Sequence, residues 1–209
     1  MNAFFDKSLR EILAAACSSA PTPGGGSISA VVAALGASMA AMVANLTIGK
    51  EKYKAVEDEA QAIADQLMPL ISSLETLVES DMTVFGKLMD AYRLPKNTDE
   101  EKANRNGILE TALKRACHTP LEVARICVKV LELTAELAPL GNAMAISDAG
   151  VAAYVAEAAL HSALLSVDIN LPLITDQAYI TQTIAEKEVL IEKAHTLKEQ
   201  AVTTVRNRM

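Results

Sequence analysis

Apolar side chains recur every three or four residues along most of the chain, and this spacing predicts amphipathic helices. Capping residues, prolines and glycines divide the pattern into six segments. They cover approximately residues 9–17, 28–46, 54–92, 99–138, 147–171 and 176–208. We expect a kink at Pro69 and a kink or restart at Pro120, because a proline ring removes one helical hydrogen bond.

Capping motifs mark the beginning of two of these helices. Ser8 and Glu11 match the capping box, in which the two side chains satisfy free amides of the first turn. Thr98 and Glu101 repeat the motif ahead of the fourth helix. No linker or shift in composition divides the chain. The sequence therefore predicts one all-α domain over residues 1–209, a bundle of about six helices of which several are long and kinked.

The second segment, residues 28–46, carries no charge, and its alanines are spaced by three and four residues. These alanines form a strip of methyl groups along one side of a helix, the alanine strip: Ala30, Ala33, Ala34, Ala37, Ala41 and Ala44. The segment approaches the length of a membrane span. Because small residues let a neighbouring backbone approach closely, we expect it instead at the centre of the bundle or of a dimer.

Composition narrows the possible partners. The 209 residues include 19 Lys and Arg against 26 Asp and Glu, which gives a net charge of −7. Nucleic acids and anionic membranes attract clustered positive charge, so this acidic balance disfavours both as principal partners. The chain is 51% hydrophobic but only 3% aromatic, which excludes intrinsic disorder and predicts an aliphatic core.

The cysteines and histidines give no sign of a metal site. Cys17, Cys117 and Cys127 form no C-x-x-C pair, and no two histidines stand at the spacing of metal ligands. We expect reduced, buried thiols. The N-terminal residues show no basic start followed by an apolar run, so a cytoplasmic location is expected.

Asp81 is the strongest chemical candidate. At about 100° per residue it falls in the middle of an apolar stripe formed by Leu74, Leu77, Val78, Phe85, Leu88 and Tyr92. Burying an unpaired carboxylate is costly, so the group must be hydrogen-bonded, protonated with a raised pKa, or open to a ligand cavity. A structural Asp bonded to a neighbouring helix and an Asp that transfers protons both fit this pattern.

A glycine-rich loop, Pro23-Gly24-Gly25-Gly26-Ser27, precedes the second helix, and we expect Ser27 to cap that helix. Three glycines leave backbone amides uncovered at a helix start, where an anion or a flat ring can approach. The loop matches neither the P-loop nor the dinucleotide fingerprint. A simple tight turn explains it equally well.

Other helix ends carry further polar candidates. Arg93 and Lys96 follow the helix that bears Asp81, although cations at a helix C-terminus are also favoured by its dipole. Asn142 and Asp148 stand near the start of the fifth segment, where ordinary capping roles are equally possible.

Taken together, these motifs resemble one family. In order along the chain they are Pro23 to Ser27, the alanine-rich helix to Lys50, Asp81, Arg93 to Thr98, Gly141-Asn142 and Ser147-Asp148. The similarity is collinear and covers nearly the whole chain. The sequence is identified as a member of the formiminotransferase-cyclodeaminase C-terminal domain family, which includes stand-alone methenyltetrahydrofolate cyclohydrolases.

The resemblance implies an all-helical homodimer that binds a tetrahydrofolate derivative in a cleft, with neither cofactor nor metal. It implies that Asp81 transfers protons while N10 of 5-formiminotetrahydrofolate attacks the formimino carbon and ammonia leaves, giving 5,10-methenyltetrahydrofolate. Hydrolysis of that product to 10-formyltetrahydrofolate is the alternative activity. A non-catalytic helical assembly module is the remaining alternative.

The other site residues are expected to bind the substrate. The expected contacts are Gly25, Gly26 and Ser27 at the folate through uncovered amides, Arg93 or Lys96 at its glutamate carboxylate, and Asn142 and Asp148 at the pterin.

Overall fold

The computed structural model describes residues 4–209, and over this range it contains helices and no strand. The α-helices are α1 Leu9–Ala16, α2 Gly25–Thr47, α3 Glu57–Arg93, α4 Asp99–Leu137, α5 Ile146–Asn170 and α6 Gln177–Arg206. Three 3-10 helices lie between them, at Glu51–Val56, Ala143–Ala145 and Leu171–Leu173. The prediction of an all-α bundle of about six helices is confirmed.

Helix α2 lies at the centre of the bundle and packs against α3, α4 and α5. Every residue of the alanine strip is at most 7% exposed, which confirms a position inside the bundle. Gly36 extends the close packing, because a β-carbon there would lie 3.1 Å from Cγ1 of Val155 on α5. The small side chains therefore let α2 and α5 approach closely along much of their length.

Two stretches are long and apolar enough to cross a membrane by length and composition, Gly25–Thr47 and Ala143–Leu173. In the most apolar window of the first, 61% of the residues are buried inside the bundle, and in that of the second 50% are buried. Central helices of a bundle pass the same test of length and composition.

The helix starts agree with the sequence at two places and differ at a third. Both capping boxes form, since Ser8 and Thr98 accept hydrogen bonds from the amides three residues ahead. The prediction that Ser27 caps α2 is wrong. Gly24 is the N-cap and supplies no side chain, while Ser27 lies inside the first turn. Its hydroxyl group instead donates a hydrogen bond to Asp81 on α3.

Both long helices continue past their prolines. Helix α3 includes Pro69 and α4 includes Pro120, so the helix restart considered at Pro120 does not occur. Thr119, Pro120 and Leu121 are all buried. The packing of this turn against its neighbours stabilises the helix where the proline removes a hydrogen bond.

The cysteines differ in their surroundings. Cys117 and Cys127 are buried as expected, and burial raises the pKa of the Cys117 thiol to about 11 and that of Cys127 to about 12. Cys17 is exposed, so the expectation that all three thiols are buried is wrong. It lies at the end of α1, a helix that buries none of its residues.

A candidate active site at the start of helix α2

Asp81 lies on α3 and points at the first turn of α2. The Ser27 hydroxyl donates a hydrogen bond of 2.6 Å to Oδ2 of Asp81. The backbone N–H of Ser27 is directed to the same carboxylate. Since Gly24 provides no capping side chain, the carboxylate of Asp81 takes that place from a neighbouring helix and meets the positive end of the α2 dipole.

Gly26 makes this approach possible. A β-carbon on Gly26 would stand 2.8 Å from Cγ and 2.9 Å from Oδ2 of Asp81, and even closer to Oδ1. Contacts of this kind are well inside van der Waals distance. The glycine therefore lets the carboxylate rest on the backbone of the first helical turn.

Burial sets the protonation of Asp81. Loss of solvent raises its pKa above the usual value of 3.8, and the hydrogen bonds from the Ser27 hydroxyl and N–H oppose this effect without cancelling it. The carboxyl group is thus held closer to the neutral range than an exposed Asp. A group in this state can both accept and release a proton.

Asp81 opens into a cavity of about 360 Å³. The loop before α2 and the glycines of its first turn form one side, α3 forms another, and the C-terminal end of α5 with Leu173 forms a third. Most of the lining is apolar, with Phe85, Leu88 and Met89 next to the acid. An apolar cleft with a few convergent polar groups is the usual form of a site for a small organic molecule.

Sequence reasoning missed two polar residues of this cavity, Ser166 and Asn170, which lie on the last turns of α5. The Asn170 side-chain amide donates a hydrogen bond of 2.8 Å to the carbonyl oxygen of Ser166. This bond fixes the amide plane in the cavity wall, where its carbonyl oxygen can accept a hydrogen bond. The position of Asn170 directly before Leu171-Pro172 was the available sequence signal for a helix end.

The structure does not bring Arg93 and Lys96 into the cavity lining. Arg93 pairs with Asp90 at 3.0 Å, and its side chain is 76% exposed. Lys96 lies in the exposed loop between α3 and α4. The nearest cavity residue in sequence is Tyr92, one residue before Arg93 and at the end of the lining on α3.

Asn142 lies at the opposite end of α2. Its backbone N–H donates to Oγ1 of Thr47 at 2.8 Å, and its side-chain amide donates to the carbonyl oxygen of Leu46 at 2.8 Å. Helix α2 places this end about 33 Å from Gly25, at about 1.5 Å per residue. The side-chain oxygen of Asn142 also accepts from the Met144 amide, so the residue caps the turn after α4.

Gly141 and Asp148 lie at the same end of the bundle as Asn142. A β-carbon at Gly141 would lie 2.7 Å from Cγ1 of Val43, which explains the glycine by close packing on α2. Asp148 occupies the first turn of α5 and is partly buried. Of the residues expected at the site, one protomer therefore brings together Gly25, Gly26, Ser27 and Asp81, and leaves Asn142 and Asp148 far away.

Within residues 4–209, no group of three His, Cys, Asp or Glu side chains is placed to hold a metal ion. The carboxyl group in the cavity lining is that of Asp81, and the phenol of Tyr92 also lines the cavity.

The sequence is similar to known proteins over nearly its whole length. The family described as formiminotransferase-cyclodeaminase matches residues 8–189. A methenyltetrahydrofolate cyclohydrolase from Methylorubrum extorquens is 40% identical over 204 residues, which is 98% of each chain. A formimidoyltransferase-cyclodeaminase from Rattus norvegicus is 33% identical over 91% of this chain, which spans 35% of that protein.

The fold has a solved counterpart. The crystal structure of formiminotetrahydrofolate cyclodeaminase from Thermotoga maritima superposes with a TM-score of 0.88 at 29% identity, covering 96% of both chains. The sequence match and the shared helical architecture both extend over nearly the whole chain. The protein therefore belongs to the formiminotransferase-cyclodeaminase family.

Proposed function

We propose that the cavity binds 5-formiminotetrahydrofolate and that Asp81 transfers protons while the substrate cyclises to 5,10-methenyltetrahydrofolate and ammonia. The observation that carries this proposal is the carboxyl group of Asp81. It is desolvated, has a raised pKa, and lies in the wall of an apolar cavity large enough for a flat heterocycle.

The reaction needs one group that first accepts a proton and then donates it. N10 attacks the carbon of the formimino group, which enters as an amidinium cation, and the Asp81 carboxylate takes the proton from N10. The resulting carbon is tetrahedral and bears an amino group. Asp81 then returns the proton to that nitrogen, the carbon–nitrogen bond breaks, and ammonia leaves. The methenyl cation and ammonia together carry the same charge as the starting cation.

The surroundings of Asp81 suit both halves of this cycle. The Ser27 hydroxyl stabilises the carboxylate form, and desolvation stabilises the acid form. Gly25 and Gly26 keep the wall beside the acid free of side chains, so the reacting carbon can approach it. A negative carboxylate in an apolar cavity also stabilises the cationic substrate and product.

A second reaction uses the same carbon, and one observation favours it. The relative from Methylorubrum extorquens matches over 98% of both chains and is named a methenyltetrahydrofolate cyclohydrolase. In that reaction Asp81 takes a proton from water as the water attacks the methenyl carbon. The bond from this carbon to N5 then breaks as N5 takes the proton from Asp81 and the new hydroxyl group loses its own. The product is 10-formyltetrahydrofolate, with net release of one proton.

Parallel assays separate the two activities. Purified protein is given 5-formiminotetrahydrofolate, and ammonia release is followed together with the appearance of methenyl absorbance. A second sample is given 5,10-methenyltetrahydrofolate, and the loss of that absorbance is followed. We expect ammonia release from the first substrate. Turnover of the second substrate alone would assign the cyclohydrolase reaction, and turnover of neither would leave the assembly module.

We also propose that the protein is a homodimer joined through one surface of α2 and α5, the α2–α5 face. Its α2 side is Ile28, Val32, Leu35, Met39, Met42 and Leu46, and its α5 side is Val151, Val155, Ala158, Ser162, Leu165 and Ile169. Each row repeats with spacings of four and three residues and contains no charge.

The exposure of this face supports a second copy as its occupant. Leu35 is 59% exposed and Ile169 is 74% exposed, and uncharged apolar patches of this kind mark protein contacts. The face is continuous with the Asp81 cavity, because Gly25, Ser166 and Ile169 line both. A second copy on the face would therefore help to close the cavity. Asn142 and Asp148, remote within one protomer, reach a folate only if the partner subunit carries them to it.

A further inference from the structure

A second groove lies beside the Asp81 cavity, between α3 and α4. Val84 belongs to the lining of both spaces, so the groove and the cavity adjoin. The groove has a volume of about 300 Å³. Besides Val84, its lining includes Lys87, Gly107, Ile108, Ala112 and Arg115. Val84 is therefore the shared wall that a ligand longer than the cavity would have to pass to reach this groove.

Two unpaired cations border the groove. Lys87 lies on α3 and Arg115 on α4, both are exposed, and among residues 4–209 neither has an ion-pair partner. The acid nearest to Lys87 in sequence, Asp90, is held by Arg93 at 3.0 Å. In a protein of net charge −7, two free cations on facing helices form a local positive site.

Between these cations the groove is open and mostly apolar, with Thr111 as the uncharged polar side chain of its lining. Val84, Ile108 and Ala112 supply aliphatic surface. Gly107 lies inside α4, and a β-carbon added there would meet nothing within 4 Å. Glycine destabilises a helix interior relative to alanine, and no neighbour requires it at this position. Its effect in the structure is to leave room in the groove for a flat group.

We propose that this groove holds the p-aminobenzoylglutamate part of the substrate, with the ring against Val84 and Ile108 and the glutamate carboxylates on Lys87 and Arg115. The assignment rests on the proposed function, because it assumes a folate whose reacting carbon lies at Asp81. Carboxylates form charge-assisted hydrogen bonds with both kinds of cation, and Arg can bind one in a bidentate manner.

The spacing along α3 favours Lys87 over Arg93, a residue expected from the sequence, as the contact for the glutamate. Lys87 follows Asp81 by six residues, which is about 9 Å along the helix, whereas Arg93 is about 18 Å away. One aromatic ring and one amide separate N10 of folate from its glutamate, and this short linker matches the nearer residue. Arg93 is also already engaged by Asp90.

Binding of a substrate fragment tests the groove independently of catalysis. The probe is N-(p-aminobenzoyl)-glutamate, compared with p-aminobenzamide, which lacks both carboxylates, and binding is followed by ligand-observed NMR. We expect Lys87→Gln and Arg115→Gln each to weaken binding of the glutamate conjugate about tenfold, the usual scale for a hydrogen bond to a charged group. Binding of the amide should not change. Lys102→Gln on α4, whose cation is paired with Asp99, is the matched control.

A steric test uses two helical glycines. Gly107→Leu places a side chain in the groove, and Gly86→Leu places one in open space on α3, since neither glycine has a neighbour within 4 Å of an added β-carbon. We expect only Gly107→Leu to abolish binding of the glutamate conjugate. This variant pair keeps the test valid if one charge substitution is compensated by the other cation.

The outcomes separate the two proposals. Unchanged binding of the conjugate in both charge variants, or weakening by Arg93→Gln or Lys96→Gln in their place, would overturn the assignment of the groove. Fragment binding that depends on Lys87 and Arg115, in a protein that turns over neither folate, would support the groove and overturn the proposed reaction. Turnover with a KM that neither Lys87→Gln nor Arg115→Gln changes would support the proposed reaction and overturn the assignment of the groove.

Discussion

A β-carbon on Gly26 would lie 2.3 Å from Oδ1 of Asp81, so the carboxylate occupies the space that any other residue would need for its side chain. The relation joins the glycine-rich loop and the apolar stripe of α3, two features that lie 55 residues apart in the sequence. It also explains why glycine is required at the second helical position of α2, where a capping side chain or a helix former would ordinarily be favoured.

Gly26→Ala should displace Asp81 and lower turnover. Backbone atoms of α2 cannot yield, so the carboxyl group must move, and a misplacement of about 1 Å can reduce a rate about 10²-fold. The measurement is kcat with the better substrate, together with the melting temperature. Gly86→Ala is the control, since its methyl group meets nothing within 4 Å. It should keep full activity and gain about 0.5–1 kcal/mol of stability. Full activity in Gly26→Ala would show that the position of Asp81 does not matter for the reaction.

Ser27→Ala tests the electrostatic part of the site. The Ser27 hydroxyl lowers the pKa of Asp81, so its removal should raise that pKa further. If the carboxylate form takes the proton from N10, the acid limb of the pH profile of kcat/KM should then move to higher pH. Ser29→Ala removes another buried hydroxyl of the same helix, one that donates to the Gly25 carbonyl and not to Asp81. An identical profile in both variants would contradict the role of Ser27.

How much of this site is visible in the sequence depends on the kind of contact. The stripe of α3 places Asp81 on the buried face because helical periodicity is local. The structure confirms it, since Leu74 and Val78 before Asp81 and Leu88 after it are buried. The partner of Asp81 is a different matter. Ser27 was expected to cap its own helix, and only the packing of α2 on α3 shows that its hydroxyl serves Asp81.

Contacts between helices are not visible in the sequence, and this also explains why some residues expected at the site lie far from it. Asn142 shares its motif with a glycine, and the motif suggested ligand binding. Its contacts with Leu46 and Thr47 show that it closes the turn at the far end of α2. Lys87 and Arg115 carried no sequence signal at all, because a lone cation on a helix is ordinarily a solvated charge. Their relation to the cavity arises from the pairing of α3 with α4.

The α2–α5 face gives a prediction about assembly. Leu35→Glu places a charge on its exposed centre, and burying that charge in a dimer would be strongly unfavourable. We expect a folded monomer by light scattering, with turnover reduced because the face adjoins the cavity. Val189→Glu on α6, a comparably exposed aliphatic position, should leave the mass in solution unchanged. A Leu35→Glu variant with the wild-type mass would place any dimer contact elsewhere.

Ala37→Leu should have a different effect from Leu35→Glu. Ala37 is fully buried within one protomer, so three additional heavy atoms must be accommodated between α2 and its neighbours. Overpacking of this kind costs about 1 to 3 kcal/mol. We expect a lower midpoint of denaturant unfolding, measured at several protein concentrations. A loss of dimer without any loss of protomer stability would show that the alanine strip faces another subunit.

Asp81→Asn separates chemistry from packing. Asn is similar in size and can still accept the Ser27 hydrogen bond, but it cannot exchange a proton near neutral pH, so turnover should fall about 10²-fold or more. The fold should persist. Because the folded state raises the pKa of Asp81 above 3.8, it binds this proton more tightly than the unfolded chain does. The stability of the wild type should therefore decline as pH rises from 3.8 through the folded pKa, and that decline should be absent in Asp81→Asn.

Equilibrium unfolding checks this expectation, and turnover is measured alongside it. Urea unfolding of wild type and Asp81→Asn over a range of pH should show the variant equal near the acid end and more stable at neutral pH, since it lacks a desolvated charge. Asp90→Asn, an exposed carboxyl group on the same helix, is the control for a change of charge on α3. Wild-type turnover in Asp81→Asn would remove the residue from the mechanism. An unfolded variant would show that the contact of Asp81 with the first turn of α2 is needed for folding.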